Sequence, residues 1–288
     1  MSAVHDAAGL DLLAGIAAAA RGDHGIACLR LMRMDEAGFA ALQEDVLRLC
    51  GEAQPSHVND EAHVSHWTRP RGEVAQYSML NRSGRYEDYS DDHDRSRAGK
   101  QFAHGDRYPA LAALIKAFPE AVNFRINVLG TRARLSPHQE APLFALGEGE
   151  CGVCARFHLP VLTSRGAELL LDDDVLHLHP GEIYFVNHGC VHAARNLDAE
   201  RRVHMVWDMP LCRAAVSRMF GDEPLPAGLS RCLDEERAVP PLRHERMGAA
   251  LRLPVAATFG HIVPTFCPSA SSDLTATAGR QHTKHGHK

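Results

Sequence analysis

Three side chains in this sequence have the types and the spacing to hold a metal ion. Ser136-Pro-His-Gln-Glu140 sets His138 and Glu140 two residues apart at the end of a β segment, and residues i and i+2 of an extended chain point to the same face. An imidazole and a carboxylate thereby converge. Gly189-Cys-Val-His192, following the strand-like Glu182–Asn187, offers a third donor from another strand. Two histidines and a carboxylate on one face of an octahedron leave three positions open, which suits a non-haem iron(II) centre that admits a cosubstrate and O2. Ten residues later Arg202 opens Arg202-Val-His-Met-Val-Trp-Asp208. The planar fork of a guanidinium matches a carboxylate, so two readings stand. Arg202 grips the far carboxylate of a dicarboxylic cosubstrate, or it is a strand-edge arginine paired with Asp208 or Glu200.

The chain holds nineteen histidines, so placement has to choose among them. His188 competes with His192 for the second imidazole, but it follows Asn187 directly and reads as a turn residue. His177 and His179 read as sheet residues before Pro180. His204 shares a strand face with Arg202 and either lines the pocket or is a satisfied interior histidine. Cys151-Gly-Val-Cys154 lacks a second such pair and the strand-to-helix setting of a redox motif. His282, His285 and His287 lie in a tail rich in Ser, Thr and Gly. Neither a Gly-rich phosphate loop nor a G-x-S-x-G elbow occurs.

Short apolar segments separated by Gly, Pro, Asn or Asp must position the candidate ligands: 122–129, 132–136, 153–163, 167–171, 174–178, 182–187 and 201–209. That spacing predicts a β-sandwich or barrel. Ahead of it, residues 1–22 read as an Ala-rich helix and Ile26–Met32 as a strand. Asp35 should cap a helix through Leu49, and a striped helix should run over Tyr108–Phe118. Residues 51–107 are polar, with a charged run from Arg85 to Lys100 that reads as a solvated loop or a mobile lid. A further helix is expected at 211–220. Asp172-Asp-Asp174 reads as a hairpin turn.

With 288 residues and 45% hydrophobic composition, the chain is large enough to bury a core. A net charge of −5 gives no basic footprint for nucleic acid. No segment approaches the roughly 20 apolar residues that cross a bilayer, and Gly9–Ala20 lacks the basic flank of an export signal. Eight scattered cysteines and no such signal favour the reducing cytoplasm. Oligomeric state cannot be read.

In order, Leu135-Ser-Pro-His138, Ala155-Arg-Phe-His-Leu-Pro160, Pro180-Gly-Glu-Ile-Tyr-Phe-Val186, Val191-His-Ala-Ala-Arg-Asn196 and Arg202-Val-His-Met-Val-Trp-Asp208 resemble the aspartyl/asparaginyl β-hydroxylase family. The match is nearest to its bacterial proline cis-4-hydroxylase-like branch and runs from about Asn123 to Met209. The resemblance implies a mostly β chain with flanking helices, built on a double-stranded β-helix (jelly-roll, cupin-like) core. It implies a dioxygenase that uses Fe(II), 2-oxoglutarate and O2 to hydroxylate an amino acid, free or within a peptide. His138 and His192 become iron ligands and Arg202 the 2-oxoglutarate arginine, while Arg156 and His158 face a cosubstrate or substrate carboxylate. Glu140 departs from the aspartate of the bacterial members, and either ligates iron or hydrogen-bonds an iron-bound water. The turn Gly147–Gly152 is an apparent insertion. Arg125, Trp67 and Arg82 are candidates for binding substrate. The division expected is an N-terminal extension over 1–24, one oxygenase domain over 25–265 with its core at 121–210, and a tail from 266. The competing reading is a cupin-like metal-binding or sensor protein without oxygenase activity, which has no need of Arg202.

Overall fold

A computed structural model describes residues 27–55, 57–58, 72–92, 94–140, 143–147, 150–221, 223–232, 243–244 and 261–262. The expected helix at 1–22, Trp67 and the histidine-bearing tail lie outside them.

The chain enters through β1 (Cys28–Met34) and α1 (Glu36–Glu52), then the short β2 (His57–Val58) and β3 (Val74–Ser78). After a long loop come α2 (Pro109–Ala117), β4 (Asn123–Leu129), β5 (Arg134–His138), β6 (Leu143–Gly147) and β7 (Glu150–Leu162). Next are β8 (Ala167–Leu171), β9 (Asp174–Leu176), β10 (Glu182–Val186), β11 (His192–Asn196) and β12 (Arg202–Pro210). Then follow α3 (Arg213–Phe220), β13 (Leu229–Arg231), β14 (Arg243–His244) and β15 (His261–Ile262).

Two sheets form. The larger runs β13-β1-β10-β7-β12-β4-β3-β2, with β6 and β15 also on β7, and the smaller runs β14-β9-β8-β11-β5. From β4 to β12 the chain steps back and forth between the sheets: β4 lies in the larger, β5 in the smaller, β7 in the larger, β8 and β9 in the smaller, then β10, β11 and β12 alternate. That winding, with antiparallel pairing throughout these strands, is a double-stranded β-helix.

Side-chain alternation gives the larger sheet two unlike faces. Val203, Met205, Trp207 and Met209 of β12 join Ala155, Phe157, Leu159 and Val161 of β7 in one buried cluster. Phe124, Ile126 and Val128 of β4 belong to it too, and so do Leu42, Val46 and Leu49 of α1 and Leu111, Leu114 and Ile115 of α2. Trp207 stacks between Phe118 and Phe124, 5.0 Å from each ring centroid. Each large apolar side chain buried here contributes about 1.5–3 kcal/mol. The opposite parity turns into the space between the sheets, and there β12 presents Arg202, His204 and Asp208, β7 presents Arg156 and His158, and β4 presents Asn123 and Arg125.

The helices are fixed by polar contacts. Asp35 is the N-cap of α1 and accepts from Gly38 N at 2.6 Å, as its position ahead of the apolar stripe predicted. Tyr108 makes no side-chain cap for α2. Asp45 of α1 replaces it, accepting from Ala110 N at 2.8 Å and Leu111 N at 3.2 Å, and so locks the helix pair. Gly181 has φ +75, and a Cβ there would meet the Phe39 ring at 3.2 Å; only glycine makes this turn into β10 beneath α1.

Residues 81–107 form a surface loop, as the polar run predicted, but one pinned from within by buried contacts. Lys100 is buried, and its Nζ donates to the carbonyls of Asp91 (2.8 Å), Asp94 (2.5 Å) and Val122 (2.7 Å). Arg82 pairs with Asp91 and Asp94, and Tyr89 Oη donates to Gln76 Oε1 at 2.8 Å. Part of the charge in this segment, on Arg82, Asp91, Asp94 and Lys100, is spent on mutual pairing and on backbone carbonyls, while Arg85 and Glu87 stay exposed.

Candidate metal centre

His138 ends β5 and His192 begins β11, and the two are directly paired across the strands. Their ring centroids lie 4.1 Å apart. Each ring is tethered through Nδ1 to a carbonyl two residues earlier, His138 to Ser136 O at 2.9 Å and His192 to Cys190 O at 3.0 Å. A carbonyl only accepts, so Nδ1 carries the proton in both rings and Nε2 presents a lone pair. Burial, with His138 close by, pushes His192 down to about 3, so it is neutral near pH 7. His192 Nε2 is buried and has no partner.

Glu140 completes the group. One donor atom from each of His138, Glu140 and His192 falls within 4.8 Å of the others, and Glu140 Oε1 is 3.7 Å from His138 Nε2. Two tethered imidazoles with free Nε2 lone pairs, one an orphaned buried atom, beside an ionised carboxylate are a set that fits a divalent metal. Desolvation works against the charge on Glu140, but the Arg156 guanidinium holds its carboxyl well below the usual range.

His188 also sits in this space, 4.0 Å from His192 between ring centroids. Both of its nitrogens are engaged, Nδ1 by Arg156 Nη1 at 2.8 Å and Nε2 by His158 Nε2 at 3.2 Å. An arginine only donates, so His188 Nδ1 accepts and its Nε2–H donates to His158. That leaves the proton of His158 on Nδ1, a buried atom with no partner. Burial, with Arg202 and Arg156 nearby, keeps His158 well below its usual range and therefore neutral.

Arg202 is 5% exposed. Its one described side-chain contact is Nη2 to His204 Nδ1 at 2.6 Å, and burial drives its pKa downward with no acidic group opposing. Neither expected partner is there. Asp208 faces Arg156, Arg125 and Asn123, and the carbonyl of Glu200 accepts from Asn196. His204 accepts from Arg202 at Nδ1, so its Nε2–H is a second buried donor without a partner.

Of the remaining candidates, Arg125 lies between Asp92 (3.3 Å) and Asp208 (3.0 Å), and Arg82 is held in the 81–107 loop by two aspartates. The roles of Asp208 and Asp92 were not found from sequence. Their signal was available only in Asp208 sharing strand parity with Arg202. His177, just beyond β9, hydrogen-bonds Ala167 O at 3.2 Å.

The sequence profile of the family described as Aspartyl/Asparaginyl beta-hydroxylase matches residues 56–210. Among solved structures, the chain is similar to a 2OG-Fe(II) oxygenase family oxidoreductase from Burkholderia pseudomallei, at 11% identity, 58% of this chain, 77% of that one and TM-score 0.38. It is similar also to a Pseudomonas putida prolyl-4-hydroxylase (12%, 69% and 98%, TM-score 0.33). A third is the epimerase SnoN in complex with Fe3+, alpha ketoglutarate and nogalamycin RO (13%, 81% and 99%, TM-score 0.41). No curated protein matches the chain. No described helix is long and apolar enough to cross a membrane.

Proposed function

The chain belongs to the aspartyl/asparaginyl β-hydroxylase family, and on that premise we propose that it hydroxylates a C–H bond of an amino acid, free or within a peptide, with His138, Glu140 and His192 holding iron(II). Iron(II) with 2-oxoglutarate and O2 supplies the oxidising power for an unactivated C–H bond, 2-oxoglutarate leaving as succinate and CO2. What the protein contributes is position. His138 and His192 offer Nε2 lone pairs whose direction the carbonyls of Ser136 and Cys190 fix. Glu140 brings a negative charge to the same face. Arg202 would receive the far carboxylate of 2-oxoglutarate, and His158 Nδ1–H is a further buried donor without a partner that the cosubstrate could satisfy.

The observation that carries this reading is the pairing of two unmet needs in one interior. His192 Nε2 is a buried lone pair with no donor, and Arg202 is a buried cation with no anion. A metal answers the first and a dicarboxylate the second, and buried polar groups without partners are costly enough to indicate a ligand. A structural sandwich or a plain metal sensor has no use for Arg202.

Anaerobic titration of the metal-free protein with Fe(II) and then 2-oxoglutarate tests the reading, with visible absorbance as the signal. A charge-transfer band that requires both and is lost in His138→Ala and weakened in Arg202→Ala is expected. Iron binding without a band at saturating 2-oxoglutarate would sink the oxygenase and favour the metal-binding cupin. Succinate release across free amino acids and their peptide-borne forms then identifies the substrate.

A further inference from the structure

We propose that Arg156 is a positioning residue of the metal centre, clamping Glu140 through an anchor at Asp208, and that it takes no part in gripping a cosubstrate or substrate carboxylate. The inference rests on the metal site proposed above, and it departs from the carboxylate-facing role that the motif order implies for this arginine.

A guanidinium has five N–H groups, and each nitrogen of Arg156 is engaged by the chain itself. Nε donates to Asp208 Oδ1 at 2.5 Å and Nη2 to Asp208 Oδ2 at 3.1 Å. Nη2 also lies 2.8 Å from Glu140 Oε2. Nη1 donates to Glu140 Oε1 at 2.8 Å and contacts His188 Nδ1 at 2.8 Å. Five contacts match five donors, so a ligand carboxylate finds none free.

The anchor is itself fixed. Asp208 pairs across β12 with Arg156 on one side and with Asn123 on the other. Its Oδ2 accepts from Asn123 Nδ2 at 2.8 Å and Arg125 Nη2 at 3.0 Å, and its backbone N–H donates to Asn123 Oδ1 at 2.9 Å. Asp92 holds Arg125 from the other end. Charges alternate along this row, from Asp92 through Arg125, Asp208 and Arg156 to Glu140, and the only member facing the metal donors is the last.

Glutamate suits that place. Each carboxylate oxygen carries two lone pairs, so Oε2 and Oε1 can both keep their bonds from Arg156 while the second lone pair of Oε1, 3.7 Å from His138 Nε2, would be offered to the metal. Aspartate is a methylene shorter and has less reach for holding both from the same backbone. Arg156 also keeps His188 out of the coordination sphere by occupying its Nδ1.

The test measures cobalt(II) affinity by competition with a chromophoric chelator, then 2-oxoglutarate affinity by calorimetry on the cobalt-saturated protein. Wild type is compared with Arg156→Met, Arg156→Lys and Asp208→Asn. Arg156→Met should weaken cobalt binding about 10- to 100-fold, the range seen when a group orienting a metal ligand is removed. Affinity for 2-oxoglutarate should change less than about threefold, because no hydrogen bond to it is lost. Asp208→Asn should move cobalt affinity in the same direction. Arg156→Lys should recover part of it, as a charge without the fork. If Arg156→Met does not fold, the lysine and asparagine variants carry the comparison. Unchanged cobalt affinity with 2-oxoglutarate binding weakened about tenfold or more, the worth of a lost charged hydrogen bond, would overturn the proposal. Wild-type protein that binds cobalt but no 2-oxoglutarate would defeat the proposed function and leave the Arg156 assignment to stand or fall on the cobalt data.

Discussion

Arg156 and Arg202 enter the same interior from neighbouring strands of one sheet, and the protein treats them in opposite ways. Arg156 meets two carboxylates and an imidazole. Arg202 meets one neutral imidazole, although it is buried where Arg156 is only partly so. An ion pair can hold a buried charge at little net cost, whereas an uncompensated one lowers stability. A chain that tolerates the second kind at one position while completing the first kind close by is reserving that position for something it does not itself supply. On the function proposed above, the satisfied arginine belongs to the scaffold and the unsatisfied one to a ligand.

The sharpest way to break this comparison is thermodynamic. Arg156→Met strands Asp208 and Glu140 and should lower the stability of the metal-free protein by about 3–5 kcal/mol in chemical denaturation. Arg202→Met should leave that stability unchanged or raise it by about 1 kcal/mol, while calorimetry shows 2-oxoglutarate affinity falling roughly a hundredfold, about 2.7 kcal/mol. Equal destabilisation by the two would mean that Arg202 has a structural partner after all.

A pH series sharpens the scaffold side. Burial alone would raise the Asp208 carboxyl, but Arg156 and Arg125 bring it down to about 2 from an ordinary 3.8. Its folded pKa is depressed, so its contribution is complete above about pH 4 and is lost as pH falls toward 2. Asp208→Asn should cost about 2 kcal/mol at neutral pH and flatten that part of the stability–pH curve. The same reasoning carried over to imidazoles predicts the smallest effect. His188, with both nitrogens engaged, should tolerate replacement by Phe with less than about a tenfold loss of cobalt(II) affinity. His192→Phe should abolish binding, and the reverse ranking would exchange their roles.

Much of this was legible in the sequence because it is local. The i and i+2 relation brings His138 beside Glu140, alternation puts Arg202 and His204 on one face, and Asp35 stands where an N-cap belongs. Strand limits moved by a few residues: the segment read at 26–32 pairs over Cys28–Met34, and that at 132–136 over Arg134–His138. What was not legible depends on partners far apart in the chain. Arg156 reads as a free guanidinium until Asp208, 52 residues away, is folded against it. The run from Arg85 to Lys100 reads as solvated because nothing local reveals that Lys100 will collect the Val122 carbonyl from the start of the barrel.

The two faces of β12 also limit how this protein can change. The strand's chemistry and its core packing are interleaved residue by residue, so a one-residue shift of the whole strand would turn Trp207 toward His138 and His192 and drive Arg202 and Asp208 into the apolar core. Such a change would leave the strand intact and the enzyme dead. Changes of length are therefore expected to be tolerated only in the turns between strands, and a new specificity is reached by exchanging side chains in place or by growing loops at the rim.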